Sequence, residues 1–98
     1  MTFVQIIEFE TDRQDELEKL YREWLAATEG KRTVLHEYHT RDRDRPTHFV
    51  EIVEFPSYEQ AMVNSDLPET RQIAERMRAL CESEPKFVNL DVLREDRG

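Results

Sequence analysis

The sequence predicts an α+β fold in which four strands form one antiparallel sheet and the helices cover one of its faces. Four segments alternate apolar and polar residues with the period of a strand, and segments between them repeat apolar residues at helical spacing. Their order along the 98 residues is β-α-β-β-α-β, the ferredoxin-like arrangement of one domain, residues 1–98. This arrangement predicts the strand order fourth, first, third, second.

The first strand is predicted over residues 3–10 (FVQIIEFE), which alternate between a mainly apolar face (Phe3, Gln5, Ile7, Phe9) and a mixed face (Val4, Ile6, Glu8, Glu10). A capping box, Thr11 to Gln14, predicts the start of the first helix, with the Thr11 hydroxyl accepting from the Gln14 amide. Gly30 is expected to end this helix in the left-handed conformation. The apolar stripe at helical spacing comprises Leu17, Leu20, Tyr21, Trp24, Leu25 and Thr28.

A hairpin follows, with strands over residues 33–40 and 48–55 joined by the charged loop RDRDRPT. If the hairpin is symmetric about residues 43 and 44, His36 pairs with Glu51 and His39 with His48. Tyr38 would then lie beside Phe49. A slip of one residue would reassign every one of these pairs, so they depend on the register.

The second half of the chain predicts two helices and a last strand. Ser57 begins a capping box for a short helix, and Pro68 suits the first turn of a second helix capped by Ser65 or Asp66. The last strand is expected over residues 87–93. The buried stripe of the second helix comprises Ile73, Met77, Leu80 and Cys81.

Apolar residues on both faces of the strands predict a partner subunit. In the strand of residues 48–55, Phe49, Val53 and Phe55 point one way, while Val50 and Ile52 point the other. Helices in a chain of this size can cover only one face. A second copy of the sheet would cover the other, so we expect a homodimer formed through the sheet faces.

Composition excludes several classes of function. The net charge of −8 argues against nucleic acid as a partner. A single cysteine, Cys81, leaves no disulfide framework or cysteine-based zinc site, and no apolar run has membrane-spanning length. The acidic, strand-like N-terminus does not have the pattern of a signal peptide, so a cytoplasmic location is expected, without a membrane as partner.

The best candidates for chemistry are His36, Tyr38 and Glu51. A carboxylate beside an imidazole makes a sensible general base for a phenolic or enolic proton, while a solvated cross-strand contact is the structural alternative. His39 and His48 suggest a metal, but two ligands are too few, and no metal is expected. The candidates for binding a small apolar or aromatic ligand, each with a core or surface role as the alternative, are Trp24, Phe49, Met77 and Arg71.

Three stretches resemble the dimeric α/β-barrel superfamily and, within it, the antibiotic-biosynthesis-monooxygenase-like group. They are FVQIIEFE, the helical run LYREW, and VEIVEFPSYEQAM followed by LPE. The resemblance implies sheets paired across a dimer and a pocket between the sheet and the helices of each subunit. It also implies an oxygenase without a cofactor, acting on an aromatic or enolic substrate. The residues then predict His36 as the base and Glu51 as the group that orients it, with Tyr38 and Trp24 shaping the pocket and Asn64 near the ligand.

Haem chemistry is disfavoured, because the asparagine, tryptophan and histidine arrangement of the haem-degrading members is not matched. The alternative function is a non-catalytic dimeric module that binds a small ligand or responds to stress. A partly polar cavity of about 300 Å³ or more beside His36 would favour the enzyme. A space filled by Trp24, Phe49 and Met77 would favour the module.

Overall fold

The computed structural model describes all 98 residues and confirms the α+β, ferredoxin-like fold. One four-stranded antiparallel sheet has the order β2-β3-β1-β4, as predicted, and the helices lie on one face of it. None of these helices combines the length and the apolar character that crossing a lipid bilayer requires. The elements are β1 (Phe3–Glu10), α1 (Gln14–Ala27), β2 (His36–Arg41), β3 (His48–Phe55), α2 (Tyr58–Asp66), α3 (Pro68–Leu80) and β4 (Lys86–Asp91).

The start of α1 differs from the predicted capping box. The helix begins at Gln14 without a side-chain cap, and the fully buried Thr11 hydroxyl lies one turn ahead of it. This hydroxyl accepts from the Arg13 amide at 2.9 Å and donates to the Leu80 carbonyl at 2.7 Å. Thr11 therefore joins the start of α1 to the end of α3. At the other end α1 stops at Ala27, and Gly30 takes its positive φ of 79° in the turn that follows.

The second pair of helices follows the predicted break at Leu67-Pro68. Ser57 caps α2, its hydroxyl accepting from the Gln60 amide at 3.1 Å, as predicted. The expected cap of α3 by Ser65 or Asp66 is wrong, because both residues belong to the last turn of α2. Instead α3 begins directly at Pro68, whose missing N–H needs no acceptor in the first turn.

The hairpin register differs from the symmetric one by three residues. His36 pairs with Glu54, and His39 pairs with Glu51. The turn is fixed by Asp42, whose amide donates to the His48 carbonyl at 2.9 Å and whose carboxylate accepts from the Asp44 amide at 2.9 Å. The hairpin is therefore centred on residue 45. Because an odd shift exchanges the two faces of a strand, it moves His36 away from Glu51.

The two faces of the sheet have different surroundings. The inner face carries the core, in which Phe3, Phe9, Phe49, Val53 and Phe55 are buried against the helices. The outer face has no covering element, although it carries several apolar side chains: Tyr38 is 55% exposed and Leu90 44% exposed. The strand positions that share this outer face with Tyr38 and Leu90 include Val4, Ile6, Val50, Ile52 and Val88.

Candidate active site

A cavity of about 700 Å³ lies between the inner face of the sheet and helices α1 and α3. Two core clusters flank it, one around Phe3 and Phe55 and the other around Phe9 and Phe49. Its walls are mostly apolar, and its size is ordinary for a small-molecule site. Apolar lining side chains include Ile7, Leu17, Leu20, Trp24, Val53, Ile73, Met77 and Phe87.

The cavity exists because α3 stands away from the sheet. No residue of α3 is fully buried: Ile73 and Met77 pack against the edge of the Phe9–Phe49 core cluster and also line the cavity. The Trp24 indole N–H donates to the Thr70 hydroxyl at 2.9 Å, a bond that connects α1 to α3. The indole therefore forms part of the wall with its polar atom satisfied.

One end of the cavity is polar and is centred on His39. Its Nδ1 lies 2.5 Å from Glu51 Oε1, and its Nε2 lies 2.6 Å from the Gln14 side-chain nitrogen. The imidazole ring stacks in parallel on the buried Phe49 ring, with 5.8 Å between the centroids. The side chain of His39 is 36% exposed and that of Glu51 only 15%. The imidazole is thus held on three sides and is open on the fourth.

A second carboxyl, from Glu37, lies next to Glu51. The Tyr21 hydroxyl donates to Glu37 Oε2 at 2.9 Å. Burial, together with the hydrogen bond and the negative charge of Glu37, raises the pKa of Glu51 to about 9. Glu51 Oε2 is buried and has no other hydrogen-bond partner. A proton on Oε2 satisfies this atom, since it can then donate to the Glu37 carboxyl.

These contacts define one consistent order of protons. The Gln14 amide donates to His39 Nε2, so the imidazole proton is on Nδ1 and points to Glu51 Oε1. A protonated Glu51 can in turn donate to Glu37, which accepts from Tyr21 at 2.9 Å. Burial and the adjacent Glu37 raise the pKa of Tyr21, which keeps its hydroxyl a donor. The end of the cavity thus contains an imidazole whose Nδ1 faces two adjacent carboxyl side chains, those of Glu51 and Glu37.

The secondary structure explains how these side chains meet. Gln14, Glu18 and Tyr21 are spaced by four and three residues on α1, so they share the side of the helix that faces β2. Glu37 and His39 alternate on β2 and point inward, and the register puts Glu51 opposite His39.

The structure corrects the predicted His36 cluster. His36 and Tyr38 lie on the outer face, their ring centroids 4.6 Å apart, and neither lines the cavity. The His36–Glu51 pair is wrong because of the register shift, and His39 occupies the place beside Glu51. The pairing of His39 with His48 is wrong for the same reason.

His48 instead lies at the outer-face end of β3. Its Nε2 is 2.9 Å from Glu8 and its Nδ1 is 2.8 Å from Asp42, so it bridges two carboxylates. Hydrogen bonds to Asp42 and then Glu8 raise the pKa of His48.

The other predicted ligand-binding residues fall into two groups. Trp24, Met77, Asn64 and Arg71 line the cavity, whereas Phe49 lies beneath His39 and does not line it. Asn64 is buried and accepts from the Thr33 amide at 3.4 Å. Arg71 is at the exposed mouth, paired with Asp66 at 3.0 Å. Sequence reasoning missed the roles of Gln14, Tyr21, Glu37 and His39 at the polar end. The spacing of Gln14 and Tyr21 could have indicated that both side chains lie on the same side of α1.

A shallower surface groove of about 510 Å³ lies between α1 and α3, outside the sheet. It is lined mainly by charged side chains, including Glu23 and Arg76, which form an ion pair at 2.7 Å. This groove has no imidazole.

Comparison with solved structures identifies the fold. An antibiotic biosynthesis monooxygenase is 22% identical, with 96% of this chain and 100% of that chain covered and a TM-score of 0.76. SnoaB, a cofactor-independent oxygenase from Streptomyces nogalater, is 15% identical over 96% and 95% of the two chains, with a TM-score of 0.80. Rv0793 from Mycobacterium tuberculosis is 14% identical over 99% and 100%, with a TM-score of 0.82.

No protein-family model matches the chain, and no curated protein matches it in sequence. The chain therefore has the fold of the antibiotic-biosynthesis-monooxygenase-like proteins, as the sequence resemblance predicted. At these identities the likeness concerns the fold and not the reaction.

Proposed function

We propose that this protein is a cofactor-independent oxygenase that binds an aromatic or enolic small molecule in the cavity and promotes its reaction with O₂. The observation that carries the proposal is the polar end of a mostly apolar cavity, where Glu51 orients the Nδ1 of His39. The fold shared with a cofactor-independent oxygenase, SnoaB, supports it. His39 replaces His36 as the proposed base, and Glu51 keeps the orienting role.

The proposed reaction begins when the acidic O–H or C–H of the substrate takes the place of the Gln14 amide at His39 Nε2. His39 accepts the proton, and the single negative charge on the Glu37–Glu51 pair stabilises the imidazolium. The electron-rich substrate anion then reduces O₂. For anthrone as a probe, one oxygen atom replaces two hydrogens of the methylene group, and the other leaves as water, giving anthraquinone.

The apolar walls would hold the aromatic rings of the substrate. Trp24 and Met77 present an indole and a flexible thioether to the cavity, and both accommodate flat apolar ligands. Asn64 and Arg71 would contact polar groups of the substrate at the other end. Phe49 contributes indirectly by supporting the imidazole.

The outer face is proposed to form a homodimer. Apolar side chains of this face occur on all four strands, and no element of this chain lies over them. An identical sheet packed by two-fold symmetry would bury Ile52, Leu90 and the exposed Tyr38. We also propose a cytoplasmic location, which the acidic composition and the single free cysteine favour.

One observation favours a second candidate, a non-catalytic module that binds a small ligand. The Gln14 side chain blocks His39 Nε2 at 2.6 Å, and a base that stays blocked cannot accept a proton. Binding without turnover would identify this case.

The test is anthrone oxidation by chelator-treated protein, followed as O₂ uptake and anthraquinone formation. His39→Ala should lower the rate by roughly 100-fold, the usual contribution of a general base. His36→Ala is the matched control, because it removes an imidazole from the same strand on the other face, and its rate should be unchanged. Equal rates for wild type and His39→Ala would refute the proposed base. Anthrone binding without any oxidation would favour the module.

A further inference from the structure

The charges around the cavity are unevenly distributed. Four carboxyl side chains, Glu18, Glu37, Glu51 and Glu75, line it, and no lysine does. The two lining arginines are both partly neutralised by neighbours outside the cavity: Arg71 pairs with Asp66 at 3.0 Å, and Arg78 lies 3.6 Å from Glu84. A ligand that reaches the polar end therefore meets negative charge without a free cation.

The same end has few free hydrogen-bond donors. The Tyr21 hydroxyl and the His39 Nδ1–H point to Glu37 and Glu51, and one N–H of the Gln14 amide points to His39 Nε2. Gln14 Oε1 is buried and accepts from nothing in the chain. An unpartnered buried acceptor costs free energy that a ligand hydroxyl can recover by donating to it. A ligand with only acceptors recovers nothing there.

We propose that the Glu37–Glu51 pair acts as a charge filter. It excludes anionic ligands from the cavity and selects uncharged aromatic ligands whose hydroxyl group reaches the polar end. This inference rests on the proposed function, because it concerns the ligand of the same cavity. It adds that the substrate is a phenol or enol without a carboxylate at the end that reaches His39. Like charge in a poorly hydrated space disfavours binding far more than it does in water.

The test compares three naphthalenes of similar shape by isothermal titration calorimetry at pH 7. They are 2-naphthol (an uncharged donor), 2-methoxynaphthalene (uncharged without a donor) and 2-naphthoate (an anion). For wild-type protein, 2-naphthol should bind at least roughly tenfold more tightly than 2-naphthoate, as expected for one uncompensated like charge. It should also bind severalfold more tightly than 2-methoxynaphthalene.

Three variants test whether the Glu37–Glu51 pair causes the difference in affinity between 2-naphthol and 2-naphthoate. Glu37→Gln combined with Glu51→Gln removes the charge and should bring the affinities for 2-naphthol and 2-naphthoate to within about threefold. Glu51→Gln alone should keep the discrimination, because its amide mimics the protonated acid and Glu37 keeps the charge. Glu29→Gln is the matched control, since it makes the same change at an exposed carboxyl outside both the cavity and the sheet.

If wild-type protein binds 2-naphthol and 2-naphthoate with affinities within about threefold of each other, the filter is overturned, even if the double variant does not fold. An unchanged ratio in a folded double variant overturns it as well. If no naphthalene binds, the filter and the proposed function both fail. If 2-naphthol binds selectively but anthrone is not oxidised, the catalytic proposal fails and the filter stands.

Discussion

The substitution Glu51→Gln tests the protonation of the buried carboxyl through protein stability. In the folded protein the pKa of Glu51 is raised from the ordinary value of 4.5 to about 9, mainly by burial and then by Glu37. Between these two values the folded state holds a proton that the unfolded state has lost. Stability therefore falls as the pH rises through this window, by about 1.4 kcal/mol per pH unit for one proton.

Glutamine keeps both hydrogen bonds of the protonated acid, since its amide can donate to Glu37 and its oxygen can accept from His39. It has no proton to lose, so this contribution to the pH dependence should vanish. The stability of Glu51→Gln relative to wild type should increase by about 3 kcal/mol between pH 6 and pH 8. The side chain is only 15% exposed, so solvent screening reduces this figure little.

The measurement is urea unfolding at both pH values, followed by tryptophan fluorescence and circular dichroism. Glu29→Gln, at an exposed position outside the sheet, is the matched control and should follow wild type at both pH values. A Glu51→Gln profile parallel to that of wild type would refute the reasoning, because it would mean that Glu51 is ionised in the folded protein.

Three further predictions follow from the packing. Ile52→Lys on the outer face should give a monomer by light scattering, since a buried lysine disfavours sheet-to-sheet contact. Trp24→Phe should lower the free energy of unfolding by about 1–2 kcal/mol, because it removes the hydrogen bond to Thr70. His48→Gln should flatten the pH dependence of stability above pH 6.5. The raised pKa of His48 gives stability that is complete below 6.5 and is lost as the pH rises through the folded value.

Each of these has a control or a contradictory outcome. Gln72→Lys adds the same charge on the exposed side of α3 and should leave the mass measured by light scattering unchanged. If Ile52→Lys also leaves the mass unchanged, the outer face is not the dimer interface. If Trp24→Phe lowers the free energy of unfolding by less than about 0.3 kcal/mol, the hydrogen bond from the Trp24 indole to Thr70 is not formed in solution. A His48→Gln profile identical to that of wild type would contradict the carboxylate bridge.

The sequence was sufficient for elements whose period is unambiguous. Residues 3–10 and 48–55 follow the two-residue period of a strand, and both strands have the predicted bounds. The strand order then followed from the β-α-β-β-α-β sequence of elements and the short connections. Two-sided apolar character was also readable from alternation alone, because the period of a strand is two.

The site was less predictable because it depends on one turn. The loop RDRDRPT offers several positions for a reversal, and its charges alone do not choose among them. The choice is made by the Asp42 carboxylate and amide, which close the turn around residue 45. The resulting shift of three residues places His39 opposite Glu51 and places His36 on the outer face of the sheet. Similarly, Thr11 had the composition of a helix cap, but the approach of Leu80 gave its hydroxyl a tertiary partner.

The most direct test of the account is a crystal structure of the protein with bound 2-naphthol. The naphthalene should lie in the cavity against Trp24 and Met77, with its hydroxyl within hydrogen-bonding distance of His39 Nε2 or Gln14 Oε1. Density for the ligand only in the groove beside Arg76 or on the outer face, with the cavity free of it, would contradict the account.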